Sequence, residues 1–174
     1  NIAIGTAALD AQTTVSDNVA IGRGALGSNT SGTNNTSVGS YSLDANTTGA
    51  SNTAFGKSAL GASNGDSNTA VGKGALESNS TGASNTAVGA SALESNSTAN
   101  NNTAVGKNAL LSNTDGTINT AIGSLALNTN TTGGALTAIG YTAGYSQTTA
   151  DHNTFLGSGT GYSITTGGSN TLAG

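Results

Sequence analysis

Apolar and polar residues alternate along this chain with a fixed period. The pentad Asn-Thr-Ala-Val-Gly, with close variants, begins at Asn1, Asn18, Asn35, Asn52, Asn68, Asn85, Asn102, Asn119, Leu136, Asn153 and Asn170. Every step is 17 residues except that from Asn52 to Asn68, which is 16. Numbered from its asparagine, a repeat reads N-T-A-V-G-x-x-A-L-x-S-N-T-T-G-x-S. Position two is β-branched in every copy, position four is aliphatic or Phe until Ala173, and position five is always glycine. Ala-Leu fills positions eight and nine in seven of ten repeats, as in Ala75-Leu76, and a polar stretch such as Asn79-Ser80-Thr81-Gly82 follows. The short repeat loses its residue in that polar part, between Leu60 and Ser67. Deletions are tolerated where a chain turns in solvent rather than where it packs.

This pattern predicts an all-β fold. At least one glycine in every repeat, two or more in most, and a Ser/Thr/Asn cluster between the apolar pairs do not sustain a helix. Thr-Ala-Val followed by glycine fits a short strand ended by a turn. Ala-Leu fits a second short strand, and the polar stretch a return turn or a third strand. A sustained period implies stacked units. The expectation is therefore one domain over residues 1–174, a parallel β-solenoid (β-roll) of ten 17-residue coils. Coils spaced about 4.8 Å apart give a rod about 48 Å long.

The columns expected to hold such a rod are the turn glycines Gly56, Gly72, Gly89, Gly106 and Gly123; the apolar Val71, Val88, Val105, Leu76, Leu93 and Leu110; and the asparagines Asn68, Asn85 and Asn102. Stacked amides hydrogen-bond along a solenoid. Neighbours in a strand face opposite sides, so Ala70 and Val71 cannot both point inward, and the pattern leaves open which does. If alanine fills the interior, the Val and Leu columns make an outer apolar stripe that calls for a partner surface. Lateral association into a homo-oligomer, a trimer or a filament, follows. Aspartate at Val88 or at Leu93 is expected to destabilise strongly, since a charge would enter a dry apolar column.

Composition sharpens this picture. Leu, Ile, Val and Phe number 28 of 174 residues, and Pro, Cys, Met and Trp are absent. That is too little for an ordinary core, yet a net charge of −4 with 7% charged residues is not the signature of disorder either. Without cysteine there is no disulfide or thiolate metal site. One histidine and four basic residues argue against a metalloenzyme, a cofactor site or nucleic-acid binding. No apolar run is long enough to insert in a membrane, and the start carries no signal-peptide pattern.

The residues Ser67-Asn68-Thr69-Ala70-Val71-Gly72 resemble the Asn-Ser-Val-Ala-Ile-Gly signature of trimeric autotransporter adhesin heads, although the repeat here is longer. That resemblance implies left-handed parallel β-rolls assembled as trimers around an apolar axis. The stretch from Leu136 onward resembles repeats of bacteriophage tail fibres and large bacterial surface proteins, in which the ninth-position leucine gives way to glycine followed by tyrosine, as at Gly144-Tyr145 and Gly161-Tyr162. These likenesses imply a structural shaft or head segment of an extracellular fibre, on a cell surface or virion, holding a binding tip away from that surface. The alternative is a binding module that recognises a host-surface glycan or ice through polar Thr and Asn ladders.

Other candidate chemistry is thin. The basic residues Arg23, Lys57, Lys73 and Lys107 all fall at position six, and Asp10, Asp44, Glu77 and Glu94 at position ten. They read as solvated edges that contribute little. Asn79-Ser80-Thr81 is a glycosylation sequon. His152 follows Asp151, but with no nucleophile-elbow motif a catalytic triad is not expected. The calcium nonapeptide of other solenoids is missing, and Gly22-Arg23-Gly24 belongs to the repeat turn, not to a phosphate loop. Threonine and serine columns at positions two, thirteen and fourteen are the kind of array an ice-binding face presents. Neither end carries a charged, proline-bearing or helical cap, so the segment is expected to continue into more coils, a cap or a neighbouring subunit.

Overall fold

In the computed structural model, which describes residues 1–11 and 15–174, each coil contributes one three-residue strand. The strands are β1 (Ile2–Ile4), β2 (Val19–Ile21), β3 (Thr36–Val38), β4 (Thr53–Phe55), β5 (Thr69–Val71), β6 (Thr86–Val88), β7 (Thr103–Val105), β8 (Thr120–Ile122), β9 (Thr137–Ile139), β10 (Thr154–Leu156) and β11 (Thr171–Ala173). They form one 11-stranded parallel sheet in sequence order. Like pairs with like: Thr69 faces Thr86, Ala70 faces Ala87 and Val71 faces Val88. The deletion leaves this register untouched, with Thr53 against Thr69. The chain is an all-β parallel solenoid.

The strand's alternation decides inside from outside. Ala70, Ala87 and Ala104 at position three are fully buried. Val71 and Val88 at position four are 37% exposed, and Val105 is half-buried. The valine column therefore lies on the outer face and is not core. Leu76, Leu93 and Leu110 go the other way: each is fully buried against the alanines of positions three and eight. An outer stripe shared by Val and Leu does not form, because the two columns leave the backbone on opposite sides of the wall.

No second strand forms at Ala-Leu. Leucines 9, 26, 43, 60, 76, 93, 110 and 127 all adopt left-handed backbone, with φ between 47° and 52°. The segment is a turn, and its conformation keeps peptide groups parallel to the rod axis. The N–H groups of Gly89 and Ser91 donate to the preceding coil, to Val71 O at 2.8 Å and Lys73 O at 2.9 Å. Those of Leu93 and Ser95 donate to the following coil, to Ala109 O at 3.0 Å and Leu111 O at 3.1 Å. Inter-coil bonding thus continues round the coil outside the strand. Left-handed leucine costs on the order of 1–3 kcal/mol, and full burial of its side chain returns about as much.

The two coils that lack this leucine fill its place from elsewhere. Gly144 and Gly161 keep the left-handed turn (φ 60° and 68°), and Phe155 replaces alanine at position three of the tenth coil and is fully buried. A Cβ on Gly144 would sit 2.6 Å from Phe155 Cδ2. Side-chain volume has moved from the turn to the strand.

Candidate functional site

The rod's interior has an apolar half, built by positions three, eight and nine, and a polar half built by asparagines. At position one, each amide oxygen accepts the backbone N–H of the next coil's first residue: Asn85 N–H to Asn68 Oδ1 and Asn102 N–H to Asn85 Oδ1, both at 2.9 Å. Their Nδ2 groups cross the coil to position fifteen, Asn68 to Gly82 O and Asn102 to Gly116 O, both at 2.8 Å. At position twelve a second ladder runs amide to amide, Asn96 Nδ2 to Asn79 Oδ1 at 2.8 Å and Asn113 Nδ2 to Asn96 Oδ1 at 3.1 Å. The asparagines are buried polar groups whose hydrogen bonds are made inside the rod, with only Asn46 Oδ1 and Asn130 Oδ1 left without a partner among the described residues.

This accounts for the sequon. Asn79 is fully buried, and its Nδ2 donates to Ser63 Oγ at 3.0 Å and to Gly82 O at 2.8 Å. A glycan cannot be attached to it in the folded chain. The Asp151-His152 pair is likewise structural. Asp151 Oδ1 accepts the N–H of Gly134 at 2.7 Å, while the N–H of His152 donates to Gly134 O at 3.1 Å.

That contact belongs to a set that sequence reasoning passed over. At position sixteen a small residue in one coil donates its N–H to an Asp or Asn in the next: Ala50 to Asp66 at 2.8 Å and Ala83 to Asn100 at 2.6 Å. The signal was present as Ala or Gly followed one repeat later by Asp or Asn.

Two hydroxyl columns differ sharply. Position thirteen is spent on the rod itself: Thr114 Oγ1 donates to Thr131 O at 3.2 Å, and Thr131 Oγ1 to Thr148 O at 3.1 Å. Position two is not. Thr69, Thr86, Thr103 and Thr120 stand half-buried on the outer strand face beside the apolar column, and among the described residues no protein group receives their hydroxyls. Neither column carries a charge. The outer sheet face is thus a two-column strip of free hydroxyls and partly exposed apolar groups: Ile21, Phe55, Val71, Val88, Ile122 and Ile139.

The charged columns lie beyond this strip. Arg23, Lys57, Lys73 and Lys107 are exposed, and Arg23 lies 4.7 Å from the centre of the Tyr41 ring. Tyr145 and Tyr162 stack at 5.0 Å in the coils where tyrosine follows glycine. Exposed charges of this kind contribute little to stability. Lys73→Ala and Glu77→Ala are each expected to change it by less than about 0.5 kcal/mol in chemical denaturation.

Among the described residues no ligand-sized cavity opens, and no group of three or more His, Asp or Glu side chains gathers to hold a metal. Among the described residues no helix is long and apolar enough to cross a membrane. Fold and surface define a β-solenoid repeat protein whose distinctive features are periodic faces. No protein-family model, curated protein or solved structure matches the chain.

Proposed function

We propose that this chain is a shaft or head segment of an extracellular fibre, on a virion or a bacterial surface. Its task is mechanical, to hold a distal binding tip away from that surface. Copies of the chain pack side by side through the outer strand face, as a trimer. The observation that carries this reading is the strip of Thr hydroxyls, running from Thr36 to Thr171, beside a column of partly exposed apolar groups. Such a strip on a soluble rod favours a partner surface. A parallel copy of the same chain has the same coil spacing, so every coil meets an equivalent coil. Each hydroxyl is both donor and acceptor, so identical columns satisfy one another, and uncharged columns do not repel.

Sedimentation velocity on the chain tests this reading. A concentration-independent trimer is expected for the parent, and dissociation for Val88→Lys with Val105→Lys, since both side chains lie on the strip. A folded parent that sediments as a monomer at every concentration overturns it. The free threonine column favours one competing reading, a face that orders a water lattice. Inhibition of ice recrystallisation by a monomeric parent, lost on Thr86→Lys with Thr103→Lys, would establish that instead.

A further inference from the structure

One coil is a residue short, and its hydrogen bonds show how it stacks all the same. Between the seventh and eighth coils, the N–H groups of positions thirteen and fourteen converge on one main-chain carbonyl. Thr114 N–H and Asp115 N–H donate to Thr131 O at 2.9 and 3.2 Å, and the Thr114 hydroxyl joins them at 3.2 Å. Between the third coil and the short fourth one, the same three groups meet a side chain instead. Thr47 N–H, Thr48 N–H and the Thr47 hydroxyl donate to Asn64 Oδ1 at 2.7, 3.3 and 2.8 Å. The amide oxygen of Asn64 stands where the longer coils place a main-chain carbonyl.

Asn64 is also the one asparagine in the chain followed directly by glycine. Gly65 has no Cβ to obstruct the approach of its nitrogen to the neighbouring side-chain carbonyl. Its N–H makes one long hydrogen bond, to Ser63 Oγ at 3.3 Å. Asn64 is exposed, so water reaches it, and among the described residues its Nδ2 has no protein partner. The ladder asparagines differ on each count. Asn79 is fully buried, its Nδ2 donates to two acceptors, and Ser80 follows it.

We propose that Asn64-Gly65 is a self-modification site, at which the folded rod converts this asparagine to aspartate or isoaspartate. Gly65 N loses its proton to a solvent base and bonds to Cγ of Asn64. Negative charge gathers on Oδ1, where two N–H groups and a hydroxyl already converge. Donors placed where charge develops lower such a barrier. The Cγ–Nδ2 bond then breaks, and Nδ2 takes a proton from solvent and leaves as ammonia. One water opens the resulting succinimide ring. Attack at Cγ gives aspartate, and attack at the main-chain carbonyl carbon gives isoaspartate. In both products Cγ keeps an oxygen to accept from Thr47 and Thr48. In isoaspartate Cγ and that oxygen become part of the main chain, which adds an atom to the one short coil. The rod gains a negative charge and keeps the contact on which the short coil stacks. The inference concerns one corner of the chain and stands apart from the proposed fibre role.

Peptide mapping by mass spectrometry, after the full chain is incubated at mildly alkaline pH, tests this. Trypsin cutting after Lys57 and Lys73 isolates residues 58–73 from Asp115-Gly116, a step that can form isoaspartate by a related route. The amide-to-acid mass change should appear in that peptide before any other, and an isoaspartyl methyltransferase should label it. The circular dichroism of the incubated chain should match that of the fresh one. Thr47→Val removes the hydroxyl donor and should slow conversion about fivefold, the worth of one hydrogen bond. Equal or faster conversion in folded Thr47→Val overturns the proposal, as does conversion that begins at another asparagine. If that variant fails to fold, the parent in urea is the comparison. Conversion faster in urea than in the folded chain shows that the fold protects Asn64, and overturns the proposal.

Discussion

Gly89→Val should abolish cooperative melting of the middle of the rod, with a loss exceeding about 3 kcal/mol, since a side chain here meets two costs at once. The backbone at Gly89 has φ +138°, a region reserved for glycine. A Cβ there would also sit 2.5 Å from Gly106 O and 2.6 Å from Gly106 C of the next coil. Both atoms are backbone, held by the inter-coil ladder, and cannot move aside without unstacking the coils. Gly89→Ala should fail for the same reason. Gly61→Ala is the contrast. Its φ is not in that region, and its Cβ would approach nothing nearer than Ser58 O at 3.3 Å, so its melting temperature should change little. Thermal unfolding followed by circular dichroism separates the three. Equal melting of Gly89→Val and the parent would show that the turn does not require glycine.

Leu93→Asp should be nearly as damaging, and Val88→Asp much less so. Leu93 is fully buried among alanines, and a carboxylate there has no partner and no water. Burying an unpaired charge costs several kcal/mol even after it is neutralised by protonation. Leu93→Ala, which only opens a cavity, should cost about 2–5 kcal/mol. Val88 is 37% exposed on the outer wall, where a carboxylate reaches solvent in the isolated chain. The Val88 variant therefore reports on lateral association more than on folding of the coil. Urea denaturation of the two aspartate variants, compared with their sedimentation, distinguishes these effects. Equal loss of folding stability in both would contradict the assignment of inside and outside.

The sequence had suggested that Val88 and Leu93 behave alike, because both are aliphatic and both belong to columns that repeat through most of the coils. Periodicity locates columns but assigns no direction to them across a turn. Within the strand the alternation is strict, so opposite faces for Ala87 and Val88 were legible. Linking position four to position nine requires the backbone path between them. That path passes through a glycine at φ +138° and two left-handed residues, Ser91 and Leu93. Leucine is an uncommon residue in left-handed backbone, so nothing in its identity announces the turn. Ala-Leu accordingly resembled a second strand. The same holds for Phe155, which looks like an isolated variant until the space above Gly144 and Gly161 is seen to be its own.

The sequence by itself determined that the chain is a repeat and where its coils begin. It also determined that the coils stack in parallel, because an invariant period aligns identical residues only when each unit sits directly on the last. The conformational demand for glycine at position five was legible too, since that position admits nothing else. Only the tertiary structure decided what those columns do. It sent leucine inward and valine outward, enclosed the amides of Asn68, Asn85 and Asn102, and consumed the hydroxyls of one threonine column while leaving another free. The physical reason is that burial and hydrogen-bond satisfaction depend on which carbonyl or methyl group faces a side chain across the coil. That is fixed by the turns, where identical residue types meet different neighbours.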